Sequence, residues 1–281
     1  MSKVWFITGA SRGIGREVAR AALAAGDMVV ATARNPQQVE AAFPGEADRL
    51  LALSLDVTEE GQSQAAVDAA VARFGRIDVL VNNAGFGQLG AFEEVGAEDI
   101  VRQYGTNVFG LFNVTRAVLP VMRRQRAGRI FNLSSMGGTK GFAGASVYCS
   151  TKYAVEGYSE SLALEVAEFG IRVTIVEPGF FRTDFLDGSS VRYGSKVIED
   201  YVPSSTARRA AYDQYSHRQA GDPAKLGRAL VTLAGAAEPP LRYAAGTDAL
   251  EGIAATLTAR LEELERWRSL SASTDIVESA A

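Results

Sequence analysis

Tyr148 and Lys152 stand four residues apart in a segment whose apolar period is typical of a helix. Side chains at this spacing share one face of a helix, so the lysine ammonium would lie beside the tyrosine phenol. The pKa of a free tyrosine is about 10, which makes it a poor acid or base at neutral pH. A neighbouring cation favours the phenolate and lowers that pKa, so the pair could exchange a proton with an alcohol or carbonyl oxygen.

The pair needs support from other residues, because helical spacing often produces such neighbours and Lys152 could equally pair with Glu156 one turn further on. A hydroxyl donor at the reacting oxygen would give that support, since it stabilises the charge that develops there. Ser134 and Ser135 both follow an apolar run, and both are candidates. Cys149 is the only cysteine, and we expect it to be a small packing residue.

A glycine-rich turn, Thr8-Gly9-x-x-x-Gly13-x-Gly15, follows the first apolar run and opens a predicted helix. Glycines there allow the backbone to turn sharply and approach a pyrophosphate, while the N–H groups of the helix N-terminus supply partial positive charge. The turn therefore predicts a dinucleotide site. Its candidate cofactor contacts are Gly9, Ser11, Arg12, Gly13, Ile14 and Gly15.

The end of the second predicted strand indicates which dinucleotide is bound. An NAD site places Asp or Glu there to hold the ribose 2′-OH, but this chain has Arg34 and no carboxylate before Glu40. A guanidinium suits a 2′-phosphate, because it offers planar donors and a permanent charge. Arg12 could close on the same phosphate, so we expect NADP(H) rather than NAD(H). The alternative is two solvated surface arginines.

Short apolar runs alternate with segments of helical period along most of the chain. The runs predicted as strands are 4–8, 28–33, 50–55, 79–82, 129–133, 172–176 and 241–244, and the predicted helices are 16–25, 60–74, 108–124, 148–168, 223–234 and 249–268. Continuous apolar runs are typical of parallel strands that are buried on both faces. The pattern predicts an α/β protein: a single-domain Rossmann fold over residues 1–281, with a doubly wound parallel sheet of about seven strands and helices on both faces.

Two segments lie outside this alternation. Residues 184–221 are polar and include four tyrosines, and long stretches without regular structure are usually functional lids or disordered. We expect an irregular substrate lid there. The tail from Ser269 is small and polar, and we expect it to fray beyond the C-terminal helix.

Composition excludes several classes of function. The chain has 281 residues and a net charge of −4, which gives no electrostatic reason to bind nucleic acid or an anionic membrane. It shows no signal-peptide pattern and no run of apolar residues long enough to span a bilayer, and a single cysteine forms no internal disulfide. We therefore expect a cytoplasmic protein that binds no nucleic acid and no membrane.

Metal and hydrolase chemistry are also disfavoured. His217 is the only histidine, and with Cys149 it cannot build a zinc site, so we expect no metal. A Ser-His-Asp hydrolase would have to use His217, which stands in a polar segment, and the chain has no recognisable nucleophile elbow. We expect a surface or lid histidine instead.

Seven motifs occur in a fixed order: Thr8-Gly9-x-x-x-Gly13-x-Gly15, Asp56-Val57, Asn82-Asn83-Ala84-Gly85, Asn107, Ser135, Tyr148-x-x-x-Lys152 and Pro178-Gly179-x-x-x-Thr183. Together they resemble the short-chain dehydrogenase/reductase family, in its compact single-domain branch, over residues 3–184. The later sequence Arg242-Tyr243-x-x-Gly246-x-Asp248-Ala249 is loosely similar to the 17β-hydroxysteroid-dehydrogenase-like subgroup.

The resemblance implies roles for individual residues. The implied catalytic set is Asn107, Ser135, Tyr148 and Lys152, with Ser135 preferred over Ser134 because it falls at the family's interval before the tyrosine. Asn107 would interrupt its helix and tether a water in a proton relay. Lys152 would also bind the nicotinamide ribose. The remaining cofactor contacts would be Asp56 and Val57 at the adenine, Asn83, Ala84 and Gly85 at the ribose, and Pro178, Gly179, Phe181 and Thr183 at the nicotinamide.

These observations predict an NADP(H)-dependent oxidoreductase that interconverts a ketone or aldehyde and an alcohol. Phe86, Leu89, Phe92, Phe142, Phe180, Phe185 and the tyrosines of residues 184–221 suggest a bulky, apolar small-molecule substrate, unless they belong to the core. The resemblance also implies a homodimer or homotetramer. The alternatives are a non-catalytic NADP(H)-binding regulatory protein on the same fold, and an epimerase or dehydratase of the longer branch, whose larger substrate domain this length does not accommodate.

Overall fold

The computed structural model describes residues 2–188 and 190–276. Seven of its strands form a parallel sheet in the order β3-β2-β1-β4-β6-β7-β9, and β5 pairs in parallel with β8 in a second, two-stranded sheet. The bounds of the strands are β1 Val4–Thr8, β2 Met28–Ala33, β3 Leu50–Ser54, β4 Val79–Asn82, β5 Gly87–Leu89, β6 Gly128–Leu133, β7 Ile171–Pro178, β8 Val191–Tyr193 and β9 Arg242–Ala245.

Helices connect the strands and cover the sheet. Their bounds are α1 Gly13–Ala24, α2 Gln37–Ala42, α3 Glu60–Phe74, α4 Ala97–Tyr104, α5 Gly110–Gln125, α6 Ser146–Val166, α7 Val202–Tyr215, α8 Pro223–Gly235 and α9 Thr247–Ala272. A short π-helical turn, Gly105–Phe109, joins α4 to α5. Among the described residues, no helix is long and apolar enough to cross a membrane.

The alternation of side chains along β1 shows why the strands are apolar throughout. Trp5 and Ile7 are buried in a core with α1 and α8, whereas Val4 and Phe6 are buried in a core with α3, α5 and α6 on the opposite face. A strand covered on both faces must be hydrophobic at every position. The structure therefore confirms the predicted α/β Rossmann fold, with helices on both faces of a doubly wound sheet.

The strand order reverses between β1 and β4, because the chain builds outward from β1 to β3 and then returns to the other side of β1. In open α/β sheets, the connections leaving the carboxyl ends of the strands separate at such a reversal and leave a crevice. Thr8 ends β1 and Asn82 ends β4 at this place. The glycine-rich turn and the Asn83-Ala84-Gly85 segment therefore border the crevice.

A chain of buried amides fixes the helices that approach this crevice. Asn82 donates from Nδ2 to Thr115 Oγ1 of α5 at 2.9 Å and to Asn132 Oδ1 of β6 at 2.8 Å. Asn132 in turn donates from Nδ2 to Ser159 Oγ of α6 at 2.8 Å. Buried side-chain hydrogen bonds of this kind define one arrangement of the elements that carry them. The position of α6 on the sheet is thereby fixed.

Several elements differ from the sequence-based expectation. Residues 184–221, expected to be irregular, contain β8 and α7. None of the residues of α7 is buried, so the helix has no apolar period that would reveal it. The predicted set also omitted α2, α4 and the short strand β5. The C-terminal helix continues to Ala272, past the fraying expected from Ser269, and residues 277–281 of the expected tail lie outside the described residues.

Helices α1 and α8 pack so closely that Gly227 has no room for a side chain, since a Cβ there would lie 2.5 Å from the carbonyl oxygen of Glu17. Gly227→Ala must push α8 away from α1, and we expect it to lower the free energy of unfolding by about 1–3 kcal/mol. Chemical denaturation followed by circular dichroism measures this change.

Gly235 provides a matched control in the same helix, because a Cβ there would meet nothing within 4 Å. We expect Gly235→Ala to change the free energy of unfolding by less than about 1 kcal/mol, toward greater stability, since alanine restricts the unfolded chain. Equal stabilities for the two variants would contradict the close contact between α1 and α8.

Candidate active site

The glycine-rich turn leaves β1 and begins α1 with backbone conformations that favour glycine. Gly9 and Gly13 have φ angles of 65° and 56°, in the left-handed region. A Cβ on Gly15 would lie 2.5 Å from the carbonyl oxygen of Gly9, so the turn folds back on the first residues of α1. Arg12 stands at the N-cap of α1, and its guanidinium has no acceptor for the first N–H groups of the helix, which can therefore bind an anion.

The turn is locked to the segment that follows β4. The hydroxyl oxygen of Thr8 accepts hydrogen bonds from the backbone N–H groups of Asn83 and Ala84, both at 3.0 Å. Asn83 donates from Nδ2 to the carbonyl oxygens of Thr8 at 2.8 Å and Gly9 at 3.0 Å. These bonds hold the two sides of the crevice at a fixed distance. A turn with so little room for side chains fits the close approach of a dinucleotide pyrophosphate.

A cavity of about 510 Å³ runs from this turn across the carboxyl ends of the strands. Apart from Gly15 and Asn107, every predicted site residue lines it: Gly9, Ser11, Arg12, Gly13, Ile14, Arg34, Asp56, Val57, Asn83, Ala84, Gly85, Ser135, Tyr148, Lys152, Pro178, Gly179, Phe181 and Thr183. Sequence motifs more than a hundred residues apart therefore meet in one place.

Tyr148 and Lys152 project from the first two turns of α6. The ammonium of Lys152 lies 5.7 Å from the centre of the Tyr148 ring and donates to the carbonyl oxygen of Leu133, at the end of β6, at 2.7 Å. Burial lowers the pKa of Lys152 to about 8, against the charge of Glu156, which raises it. The lysine side chain is thus a buried cation placed between the strand end and the phenol.

Burial raises the pKa of Tyr148 to about 12, although a hydrogen bond with Ser135 lowers it. Loss of water around the phenolate is the largest influence on this pKa, and the spacing of Tyr148 and Lys152 in the sequence does not reveal that burial. At neutral pH the phenol of the protein by itself therefore carries its proton.

The two candidate serines differ in the groups that surround their hydroxyls. Ser135 begins the turn Met136–Gly138, accepts from the backbone N–H of Gly137 at 3.0 Å and hydrogen bonds with Tyr148. The hydroxyl of Ser134 instead lies against Gly138, on the side of the Glu156 carboxylate. Ser135 is therefore the serine whose hydroxyl lies beside the phenol.

Asn107 lies in the π-helical turn between α4 and α5, so the helix is interrupted where the sequence predicted it. Its Oδ1 accepts from the backbone N–H of Phe86 at 3.1 Å, and its Nδ2 donates to the carbonyl oxygen of Phe86 at 3.1 Å and to Thr151 Oγ1 at 3.3 Å. These contacts place Asn107 behind the cavity wall, where it joins the segment after β4 to α6. Single π turns often occur at functional positions.

The segment after β7 is held by Asp248, which sequence reasoning did not single out as a site residue. Its Oδ2 accepts from the backbone N–H of Phe180 at 2.7 Å, and its carboxylate fills the space where Gly179 has no side chain. Thr183 begins the next turn, accepting from the backbone N–H of Phe185 at 3.2 Å. The C-terminal helix α9 therefore positions one end of the cavity.

The far end of the cavity has an apolar wall. Its large apolar residues are Phe86, Leu89, Phe142, Phe180, Phe185 and Leu186. Among the described residues of 184–221, Tyr212 is the one tyrosine that lines it. The prediction for Phe92 was wrong, because its side chain is 62% exposed at the surface. No sequence pattern indicated Ser190, Arg192 or Gln219, which also line the cavity.

His217 follows α7 and is exposed, as predicted for a surface or lid histidine. Its Nε2 lies 3.1 Å from Asp187 Oδ2, and Ser216 Oγ donates to Asp187 Oδ1 at 2.7 Å. The hydrogen bond from Ser216 lowers the pKa of Asp187, and His217 and Arg12 lower it further. The two ends of segment 184–221 are thus joined beside the glycine-rich turn.

Comparison with known proteins decides the family. The model of the short chain dehydrogenase family matches residues 3–192. The chain is 42% identical over 274 residues to the oxidoreductase BOA17 of Botryotinia fuckeliana, which covers 96% of this chain and 98% of the relative. The chain belongs to the short-chain dehydrogenase family. Membership makes it an oxidoreductase enzyme that acts on a small-molecule substrate.

Other members of the family are similar over most of the chain. The 3-ketodihydrosphingosine reductase of Bacteroides thetaiotaomicron is 38% identical over 244 residues, which is 87% of this chain and 88% of the relative. The crystal structure of a short-chain dehydrogenase from Streptomyces avermitilis superposes with a TM-score of 0.91 at 41% identity, covering 98% of this chain and 100% of that one. The structure of ElxO with NADP bound gives 0.71 at 29% identity, covering 85% and 94%.

The geometry of the glycine-rich turn leads to a test of cofactor binding in this short-chain dehydrogenase. Gly15→Ala would place a methyl group against the carbonyl oxygen of Gly9 and the amide of Asn83, and so must open the turn. We expect the Kd for NADPH, measured by fluorescence titration, to rise at least about tenfold, which is a loss of about 1.4 kcal/mol.

Gly61→Ala is the control, because a Cβ at this position in α3 would meet nothing within 4 Å. We expect it to bind NADPH like the wild type. If Gly15→Ala also bound NADPH with unchanged affinity, the glycine-rich turn would not be where the cofactor lies.

Proposed function

We propose that this enzyme is an NADP(H)-dependent oxidoreductase that interconverts a ketone or aldehyde and an alcohol, with Tyr148 as the general acid/base. The observation that carries the proposal is the arrangement around Tyr148 in the cavity. Its phenol hydrogen bonds with Ser135, and the centre of its ring lies 5.7 Å from the ammonium of Lys152. Proton transfer at a substrate oxygen needs such a set of groups.

A nicotinamide cofactor would supply the hydride, and the surrounding backbone fits its binding. The pyrophosphate would lie on the glycine-rich turn, the adenine beside Asp56 and Val57, and the ribose against Asn83, Ala84 and Gly85. Lys152 would bind the nicotinamide ribose. The nicotinamide would lie against Pro178, Gly179, Phe181 and Thr183. The support for this assignment is that all of these residues line one continuous cavity.

The protein groups handle the proton. The pKa of about 12 keeps Tyr148 protonated at neutral pH, so its hydroxyl can donate to a carbonyl oxygen during reduction. Ser135 would donate a second hydrogen bond to that oxygen and stabilise the charge developing on it. Lys152, whose pKa is about 8, is charged at neutral pH and would stabilise the phenolate left after the transfer.

Asn107 would contribute indirectly, as a residue that positions the proton relay. Its amide ties Phe86 of the cavity wall to Thr151, the residue before Lys152. A water held near this interrupted turn would connect Lys152 to solvent and return the proton to Tyr148. The support for this role is the π-helical turn, which places a polar side chain, 3% exposed, behind the catalytic helix.

The preference for NADP(H) is proposed from Arg12 and Arg34. Both line the cavity at the end of the glycine-rich turn and of β2, where a 2′-phosphate would lie. The chain has no carboxylate at the end of β2 that would favour the 2′-OH of NAD. The structurally similar ElxO binds NADP.

The substrate is proposed to be bulky and apolar, because aromatic and aliphatic side chains dominate the wall beyond Tyr148. A relative at 38% identity is named as a 3-ketodihydrosphingosine reductase. Residues 184–221, within the single catalytic domain proposed for residues 1–281, would form the lid over this substrate. Leu186 and Tyr212 of the lid supply part of the wall.

Tyr148→Phe tests the acid/base role. The ring contact with Phe185, with centres 5.7 Å apart, is kept and the proton donor is lost. We expect kcat for reduction of ketones with apolar chains of increasing length, followed by NADPH oxidation, to fall at least about 100-fold, as for loss of a general acid.

Tyr158→Phe is the matched control, because Tyr158 lies on the same helix and burial also raises its pKa to about 12. We expect it to keep near-wild-type kcat. Wild-type turnover by a folded Tyr148→Phe variant would disprove the role of Tyr148. A wild-type protein that binds NADPH and reduces no carbonyl of the panel would favour the non-catalytic regulatory alternative.

Arg34→Ala tests the cofactor preference. Loss of a charged hydrogen bond of about 1.5–3 kcal/mol should lower kcat/KM for NADPH by about 10–100-fold and leave that for NADH nearly unchanged. Arg20→Ala, which removes an arginine paired with Glu17 on α1, should change neither value. If Arg34→Ala kept the wild-type ratio of the two cofactors, the argument from the guanidinium would fail.

A further inference from the structure

Two buried glutamates lie directly behind the catalytic groups and have no part in the proton transfer described above. Glu156 follows Lys152 by one turn of α6 and is 5% exposed, and Glu177 lies near the end of β7 and is 1% exposed. Carboxylates are seldom so deeply buried, because removing an ionised group from water costs several kcal/mol unless it is compensated. Their partners are therefore informative.

Glu156 supports the residues on either side of Ser135. Its carboxylate faces the hydroxyl of Ser134, and both groups lie against Gly138. It also fills the space at Gly138, where a Cβ would lie 2.8 Å from Glu156 Oε1. On its outer side, Arg242 of β9 approaches Glu156 Oε2 to 3.3 Å through one Nη, and Glu160 Oε1 to 2.7 Å through the other. A change at Glu156 therefore affects the residues on both sides of Ser135.

Glu177 holds the end of the same segment. Thr139 Oγ1 donates to Glu177 Oε1 at 2.8 Å. The carbonyl oxygen of Thr139 accepts from the hydroxyl of Tyr153 on α6 and from Arg260 of α9. Segment 134–139, which carries Ser135, thus packs against Glu156 at Gly138 and is held at its end by Glu177.

We propose that Glu156 is a positioning residue of the reaction, whose carboxylate holds segment 134–139 in place around Ser135 and whose negative charge keeps Lys152 in its ammonium form. The charges of Glu177 and Arg242 determine which fraction of Glu156 is ionised. The inference rests on the proposed function of Ser135 and Lys152, and it adds to that function a group that controls the pH range over which Lys152 acts.

The charges of this cluster change within the range where the enzyme would work. Burial raises the pKa of Glu156 to about 7, and the charge of Glu177 raises it further, while Ser134 and Arg242 oppose this. The charge of Glu156 raises the pKa of Lys152, which is about 8, and so favours the ammonium form. As the pH rises, Glu156 therefore becomes anionic before Lys152 would lose its proton, and the new anion extends the range in which the lysine stays charged.

The charged and titratable groups around Glu156 come from four elements: Lys152 and Glu160 from α6, Glu177 from β7, Arg242 from β9, and Arg260 from α9 at the far end of segment 134–139. Glu160 binds the same arginine as Glu156, but its side chain is 51% exposed. It therefore offers a comparison that removes a carboxylate from Arg242 without touching Ser134 or Gly138.

The first measurement is the pH profile of kcat/KM for Glu156→Gln and Glu160→Gln. Without the anion, Lys152 should lose its proton at lower pH, so we expect the alkaline limb of Glu156→Gln to move down by about one pH unit. The limb of Glu160→Gln should stay within about 0.3 units of the wild type, because solvent screens an exposed carboxylate. A Glu156→Gln profile that superimposes on the wild type overturns the proposal.

A second measurement is independent of activity. The pKa of Glu156 is higher in the folded protein than the ordinary value of 4.5, so the folded state binds the proton more tightly. Its contribution to stability is fully present below about pH 4.5 and is lost as the pH rises through about 7. We expect the wild type and Glu160→Gln to lose Tm over this interval, and Glu156→Gln to lose clearly less. Equal slopes for all three overturn the proposal.

The two measurements separate this inference from the proposed function. If the wild type reduces no carbonyl but Glu156→Gln flattens the stability profile, the titration of Glu156 holds and the assigned reaction fails, and with it the positioning role. If Glu156→Gln does not fold, Arg242→Gln replaces it. Loss of the arginine makes Glu156 harder to ionise, so its alkaline limb must shift in the same direction by a smaller amount, and an unshifted limb overturns the proposal.

Discussion

The close approach of two backbones at the reversal of strand order is the constraint on which the rest of the site depends. Gly9 and Gly15 leave no room for side chains, and Asn83 spans the remaining gap with hydrogen bonds to the end of β1. Because β1 and β4 lie side by side in the sheet, this lock fixes both walls of the crevice at once. The cavity is therefore a property of the rigid sheet, and α6, which carries Tyr148 and Lys152, needs only to be positioned against it.

The placement of α6 against the sheet buries a cation. Lys152 is 8% exposed, and its burial is compensated by the carbonyl oxygen of Leu133 and the charge of Glu156. The same desolvation acts on Tyr148 and holds its proton in place. An acid that keeps its proton at neutral pH is suited to give it to a carbonyl oxygen, and a cation nearby stabilises the anion that remains. Burial therefore suits both groups to the proposed reduction.

The sequence predicted those features of the fold and of the site that depend on local patterns of residues. Strands buried on both faces, such as β1, are continuous apolar runs, and the motifs at their ends are read in order, so the sheet and nearly all cavity-lining site residues were found. Helix α7 was missed because none of its residues is buried, and the contact of Asp248 with Gly179 was missed because it joins residues far apart in sequence. The raised pKa of Tyr148 was also missed, since burial is a property of the folded chain.

The boundary between the part of the chain that the family shares and the wall beyond it explains how one fold could serve different substrates. The match to the family model ends at residue 192, inside segment 184–221, so the shared part of the family covers the crevice and also Ser135, Tyr148 and Lys152. The wall beyond Tyr148 includes Leu186, Arg192 and Tyr212, from a segment whose helix buries no residue. Substitutions there cost little stability, because few core contacts are lost. Under the proposed function, the substrate can therefore change through this wall while the buried charges behind Ser135, which that reaction would use for any carbonyl, remain as they are.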